Sequence, residues 1–141
     1  MSPEKIGELL RSNGLKDTPK RQLVARHVLA SRAARTPEQV WHHLRPRLGE
    51  LGLPTVYRVL QELAEIGIIA EIDLGDRNRR YATCRTTPGI HHHHIVCTKC
   101  RSVREIPTCA FNRQVRAIER TTGFRITGHR LQVDGVCPNC R

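Results

Sequence analysis

The first half of the chain places its apolar residues at helical spacing. Thr18 is set to cap a helix with Pro19 at its first position, and Leu23, Val24, His27 and Val28 then fall on one face. Thr36-Pro37-Glu38-Gln39 has the form of a capping box, followed by a stripe of Val40, Trp41 and Leu44 that Pro46 should end or bend. Pro54 opens a third helix in which Val56, Val59, Leu60, Leu63 and Ile66 share one arc, while Tyr57, Arg58 and Gln61, with Thr55 beside them, take the other side. Residues 68–74 and 79–84 flank the turn-rich Gly75-Asp76-Arg77-Asn78 and predict a β-hairpin. Helix, helix, helix, hairpin is the order of a winged helix.

Thr86-Thr87-Pro88-Gly89 reads as a linker, and the text then changes character. Strands are predicted over 90–97 and 102–106, a helix over 109–122 with Phe111, Val115, Ile118 and Thr122 as its stripe, and a last strand over 124–133. The fold class is α+β, with an N-terminal winged-helix unit over 1–84, a hinge over 85–90 and a C-terminal α/β unit over 91–141.

Charge narrows the partners. Against 13 acidic residues stand 24 Lys and Arg, a net +11 with neutral histidines, which draws the chain towards polyanions such as DNA. No apolar run approaches membrane-spanning length and Met1–Leu10 lacks the features of a leader, so the expectation is a cytoplasmic protein with no membrane partner. In that setting the six cysteines argue for thiolates on metal rather than disulfides.

All six cysteines lie at or beyond Cys84, with five of the eight histidines. Cys97-x-x-Cys100 and Cys137-x-x-Cys140 carry the sharpest signal: two such turns complete a tetrahedral Cys₄ shell, as structural Zn²⁺ prefers. The 36 residues between the two turns must fold back to bring them together. A closed shell leaves no open position, so this ion should be structural.

His91-His92-His93-His94 lies on a predicted strand, where alternate side chains point to opposite faces. His92 and His94 share one face, which Cys84 and Glu105 are candidates to complete; a Cys, two His and a carboxylate suit Zn²⁺ better than iron. His91 and His93 share the other, a third site that His129 would join, with no obvious fourth ligand. Cys109 reads as a buried helix residue, His27 as a hydrogen-bonded core histidine, and His42 and His43 as structural or solvated.

Together these features resemble the ferric uptake regulator family over nearly the whole chain, nearest its zinc-uptake branch. The resemblance rests on Gly14-Leu15-Lys16, Thr18-Pro19-Lys20-Arg21, Pro54-Thr55-Val56-Tyr57-Arg58-Val59-Leu60 and Gly67-Ile68-Ile69. It continues through the histidine run with Cys97-x-x-Cys100, and His129 eight residues before Cys137. It implies a homodimer whose C-terminal unit is the dimerisation domain, and a bound metal that closes the hinge and favours binding to palindromic operator DNA. By position, Thr55, Tyr57 and Arg58 would lie on the recognition helix, with Tyr57 and Arg58 at base edges and Lys16 and Arg21 on the DNA backbone or minor groove. Cys84 falls where the zinc branch supplies sulfur, and Ala82 where the iron and peroxide sensors supply oxygen. A His or Asp used by some zinc sensors is Ala70 here, leaving Glu105 or Glu71 as the fourth regulatory ligand. The third site usually has a carboxylate where this chain has Asn112.

The expected function is a metal-dependent repressor, zinc-responsive and controlling metal uptake, with no enzymatic activity and no small organic substrate. Iron-, nickel- or peroxide-responsive regulation, with iron or another divalent metal at the regulatory site, is the alternative on the same scaffold. A zinc hydrolase would need an active site, yet there is no His-Glu-x-x-His helix and no nucleophile beside the histidines. A zinc-ribbon RNA binder would need stacking aromatics, and five Phe, Trp and Tyr residues are too few.

Overall fold

The computed structural model describes residues 2–48, 52–76, 78–84, 91–109 and 111–141. Four helices open the chain: α1 (Pro3–Ser12), α2 (Pro19–Ala30), α3 (Pro37–Leu48) and α4 (Leu53–Glu65). An antiparallel hairpin follows, β1 (Ile69–Ile72) on β2 (Arg80–Thr83), with Ile69 opposite Thr83. Beyond it lie β3 (His93–Cys97), β4 (Val103–Ile106), α5 (Asn112–Thr122), β5 (Gln132–Gly135) and a 3₁₀ turn at Pro138–Cys140. β3 is the middle strand of a second sheet, antiparallel to β4 and parallel to β5. This is the α+β architecture expected, a winged helix followed by an α/β unit. The expected linker at 86–89, and with it the 85–90 hinge, lies outside the described residues.

Local chemistry explains the helix starts. Thr18 Oγ1 accepts from the Arg21 N–H at 3.3 Å, and Pro19 occupies the first position, where its missing N–H costs nothing. The capping box is reciprocal: the Thr36 N–H donates to Gln39 Oε1 at 3.0 Å and the Gln39 N–H to Thr36 Oγ1 at 3.3 Å. α4 ends at Glu65, and the chain turns away through Gly67, whose φ of 73° is the left-handed conformation a glycine enters most cheaply.

In the N-terminal half, α1 and α3 differ from the sequence reading. α1 is an added helix, capped by Ser2 and burying Ile6 and Leu10 one turn apart. α3 runs through Pro46 to Leu48, because a proline in the last turn forfeits one hydrogen bond at an exposed position.

The main core is N-terminal. Ile6, Leu10, Val24, Val28, Val40, Leu44, Val56, Leu60 and Leu63 close around Ile68, Ile69 and Tyr81. A smaller cluster of Ala34, Ile72, Ala82 and Val96 joins the hairpin to the second sheet. Backbone bonds reinforce that seam, from the Ala34 N–H to the Arg101 carbonyl at 3.0 Å and from Val103 N–H to the Arg32 carbonyl at 3.3 Å.

The C-terminal half has little core of its own. Among the described residues of 91–141 only His93, Val96 and Cys97 are buried, and α5 buries none of its stripe fully. The last strand is also shorter and later than predicted: pairing begins at Gln132, and 124–131 forms no ladder among the described residues. Leu131 and Val133 face outwards with Phe124, Ile95 and Val136. Strand parity therefore does not set the direction of His129, which lies in that segment.

His27 is half-buried and stacks on His43 with ring centroids 4.4 Å apart. Burial first, then the His43 ring, Arg35 and Arg47, holds its pKa below the ordinary histidine value. The unfolded chain therefore takes up this proton at higher pH than the fold does. The stability His27 contributes is present above the unfolded pKa of about 6.5 and is lost as pH falls through that value towards the folded one. An NMR titration should place the His27 midpoint below that of a free histidine. A midpoint at or above it would contradict the packing described.

Candidate metal centres and nucleic-acid face

The two Cys-x-x-Cys turns meet. Cys97 closes β3, Cys100 lies in the turn to β4, and Cys137 and Cys140 bracket the 3₁₀ turn after β5. All four sulfurs lie within 4.8 Å of one another, and Cys100 Sγ is 3.7 Å from Cys137 Sγ. Sulfurs at about 2.3 Å from a tetrahedral ion would stand about 3.8 Å apart. The turn is stiff: Arg101 takes a left-handed φ of 64°, its N–H bonded to the Cys97 carbonyl at 2.9 Å. Backbone N–H groups, first of Cys100 and then of Cys137, pull the Cys97 thiol down to about 6. The Cys137 and Cys100 sulfurs push Cys140 up to about 12. Four thiols this close cannot all ionise without a cation among them, so the donor set fits a divalent soft-to-borderline ion. All six cysteines are free of disulfides.

The second group links the two halves. Cys84 directly follows β2, and its sulfur lies 3.1 Å from His92 Nε2. Cys84, His92 and His94 offer three donors within 4.8 Å of one another. Cys84 is buried, and His94 Nε2 is a buried nitrogen with no hydrogen-bond partner. Such an orphan is costly unless something absent from the chain itself satisfies it. Burial, and next the His92 ring, lowers the His94 pKa, while the Glu105 charge raises it. Glu105 is the cross-strand partner of His94 and so lies beside this group, but outside its tight set of three. Glu71 is paired with Arg79 at 3.6 Å.

The other face of the histidine run gathers His91, His93 and His129, and with them Cys109. Sequence reasoning placed Cys109 inside a helix. α5 begins only at Asn112, which leaves Cys109 in the preceding loop with its sulfur 3.2 Å from both His93 Nε2 and His129 Nε2. The available signal was its position three residues before Asn112, where the family resemblance directs attention to a carboxylate.

On α4, Val56, Val59, Leu60 and Leu63 face the core, while Tyr57 and Arg58 are exposed and Thr55 is half-buried. The Tyr57 hydroxyl donates to Glu38 of α3. Lys16 is exposed, but Arg21 is engaged within the fold. Its Nε and Nη2 donate to Glu62 Oε2 at 3.0 and 2.9 Å, and its Nη1 donates to the Lys16 carbonyl at 2.9 Å.

The sequence model of the ferric uptake regulator family matches residues 12–134. The chain belongs to that family. Membership makes it a metal-responsive regulator. A ferric uptake regulation protein of Campylobacter jejuni is 31% identical over 139 residues, covering 97% of this chain and 87% of that protein. A peroxide-responsive repressor of Staphylococcus epidermidis is 28% identical over 132 residues, covering 94% and 85%. Among solved structures, a zinc uptake regulator complexed with zinc and DNA matches with a TM-score of 0.79 over 98% of this chain and 91% of that one. At 21% identity, that likeness is one of fold. No helix among the described residues is long and apolar enough to cross a membrane.

Proposed function

We propose that this family member is a cytoplasmic, zinc-responsive repressor that binds palindromic operator DNA as a homodimer and controls metal-uptake genes. The observation that carries the reading is the convergence of Cys84, His92 and His94, with its orphaned buried nitrogen, across the junction of the two halves. Zn²⁺ bound there would supply a Lewis-acid crosslink between the hairpin end and β3. A sulfur and two imidazoles are a borderline-soft set that suits zinc better than iron. Glu105, across the ladder from His94, would be the fourth ligand. Cys97, Cys100, Cys137 and Cys140 would hold a separate structural zinc.

In this reading residues 1–84 form the DNA-binding domain, 85–90 the hinge and 91–141 the dimerisation domain. The outward apolar residues Ile95, Phe124, Leu131, Val133 and Val136 supply a face for a second copy of the chain. α4 enters the major groove with Thr55, Tyr57 and Arg58, and Lys16 holds the phosphate backbone. Arg21 acts one step back, tying the Lys16 loop to α4 through Glu62. Holding the two reading heads one helical turn of DNA apart favours operator binding, and DNA must in turn tighten metal binding.

Fluorescence anisotropy on a cognate operator, with Zn²⁺ buffered or chelated, tests the proposal. Zinc should tighten binding by roughly 5- to 150-fold, the usual range of allosteric coupling. Cys84→Ser should abolish that gain while the protein keeps one zinc per chain at the four cysteines. Equal affinity with and without zinc would sink the sensing account. The iron- and peroxide-responsive relatives favour one second reading: Fe²⁺ or Mn²⁺, rather than Zn²⁺, would then restore binding.

A further inference from the structure

The outward face of α4 is not free of the fold, because one of its side chains is held from α3. Tyr57 stands out from the helix, 41% exposed, yet its hydroxyl donates to Glu38 Oε1. Glu38 lies in the first turn of α3, where the helix dipole favours a carboxylate. The Tyr57 hydroxyl first, and then Glu38's own backbone N–H and Thr36, keep this carboxyl below the usual carboxylate range against the opposing effect of burial. The same bond raises the phenol above its ordinary value, so at neutral pH the proton stays on Tyr57. Glu38 is not needed for α3 itself. Thr36 and Gln39 start the helix, and Val40 and Leu44 bury it. The carboxylate is left over from what the fold requires.

We propose that Glu38 is a positioning residue for operator recognition, holding the Tyr57 phenol so that its hydroxyl meets DNA as a hydrogen-bond acceptor. The inference rests on the proposed docking of α4 in the major groove. A phenol has one proton, and here the carboxylate takes the bond it can donate. What remains for DNA is the oxygen's lone pairs and the ring. Phosphate oxygens carry no proton to give, so a hydroxyl committed in this way has nothing to offer the backbone. Base edges do respond to it: adenine N6 and cytosine N4 are donors in the major groove, and the thymine methyl suits the ring. Unheld, the same hydroxyl would swing and donate to any phosphate within reach, a contact that positions without reading sequence. Holding the ring also removes rotamer freedom before DNA arrives, which lowers the cost of ordering it on binding. Glu38 thus turns a side chain that could grip any duplex into one that discriminates.

Anisotropy on the zinc-loaded whole chain, with a cognate operator and an unrelated duplex of equal length, tests this through the ratio of the two affinities. Glu38→Ala should lower that ratio by about threefold or more, within the range of coupling between touching residues. Glu38→Gln, whose amide oxygen still accepts, should keep most of it. In a Tyr57→Phe background, Glu38→Ala should change the ratio no further, because the bond is already gone. Were Glu38 only a stabiliser of α3, its loss would weaken both duplexes alike and act equally in both backgrounds, and that result overturns the assignment. Protein without DNA gives an independent check. NMR of isotope-labelled tyrosine phenol carbons should show the Tyr57 signal moved by Glu38→Ala and much less by Glu38→Gln; no movement overturns the contact. Tyr57→Phe without effect on the ratio overturns the assignment together with the docking of α4. An effect of Tyr57→Phe with none of Glu38→Ala overturns the assignment alone.

Discussion

Replacing Cys137 with serine is expected to remove one zinc per chain and to melt the C-terminal half while the N-terminal helices stay folded. The reason is how little else holds that half together. His93, Val96 and Cys97 are its only buried side chains among the described residues, and one of these is itself a member of the four-sulfur group. Binding zinc at such a site releases on the order of 10 kcal/mol, comparable with the roughly 5–15 kcal/mol by which whole domains are stable. The three-stranded sheet is closed at one end by the same turns: the Thr98 N–H bonds the Gly135 carbonyl at 2.8 Å, and Lys99 Nζ donates to the Cys140 carbonyl at 2.8 Å. Loss of one sulfur loosens both turns together. Metal analysis with thermal circular dichroism checks this, and a variant with wild-type zinc content and an unshifted melt would refute it.

The second large effect lies on α4. Leu60→Ala should destabilise the winged helix by about 2–5 kcal/mol, because Leu60 is fully buried and a packed cluster relaxes only partly around the lost volume. Arg58→Ala, on the opposite face, should leave urea unfolding unchanged and weaken operator binding by about 1–3 kcal/mol, roughly 5- to 150-fold. The pair separates the scaffold of the helix from its reading surface. Equal loss of stability in both variants would mean that Arg58 belongs to the core's support instead.

Much of this was legible because the controlling geometry is local. Helical spacing put Val56, Val59, Leu60 and Leu63 on one face and Tyr57 and Arg58 on the other, and the structure keeps that division. Strand alternation divided the four histidines into two pairs, and those pairs join different donors in space. The readings that missed depend on distant or absent partners. The 124–131 segment has the apolar text of a strand but finds no ladder among the described residues. Cys109 was hidden by a helix start three residues late, an error of ordinary size for an element boundary, yet enough to swing a side chain from a helix face into a ligand cluster. Arg21 looked like a free cation because nothing local announces an ion pair with Glu62, forty-one residues away in sequence.

The seam between the halves has a final consequence. It is a small cluster in which three of seven apolar residues, Ala34, Ala70 and Ala82, are alanines beside Ile72, Leu74, Val96 and Val103. A cluster this small removes limited apolar area from water, and at about 25 cal/mol per Å² it contributes far less to stability than the main N-terminal core. Reversing a two-state population from 1:99 to 99:1 takes only about 5.5 kcal/mol. If the Cys84 group senses metal as proposed, a latch this light is within the reach of a single ion, whereas a seam as large as the main core would stay shut whatever the supply of metal.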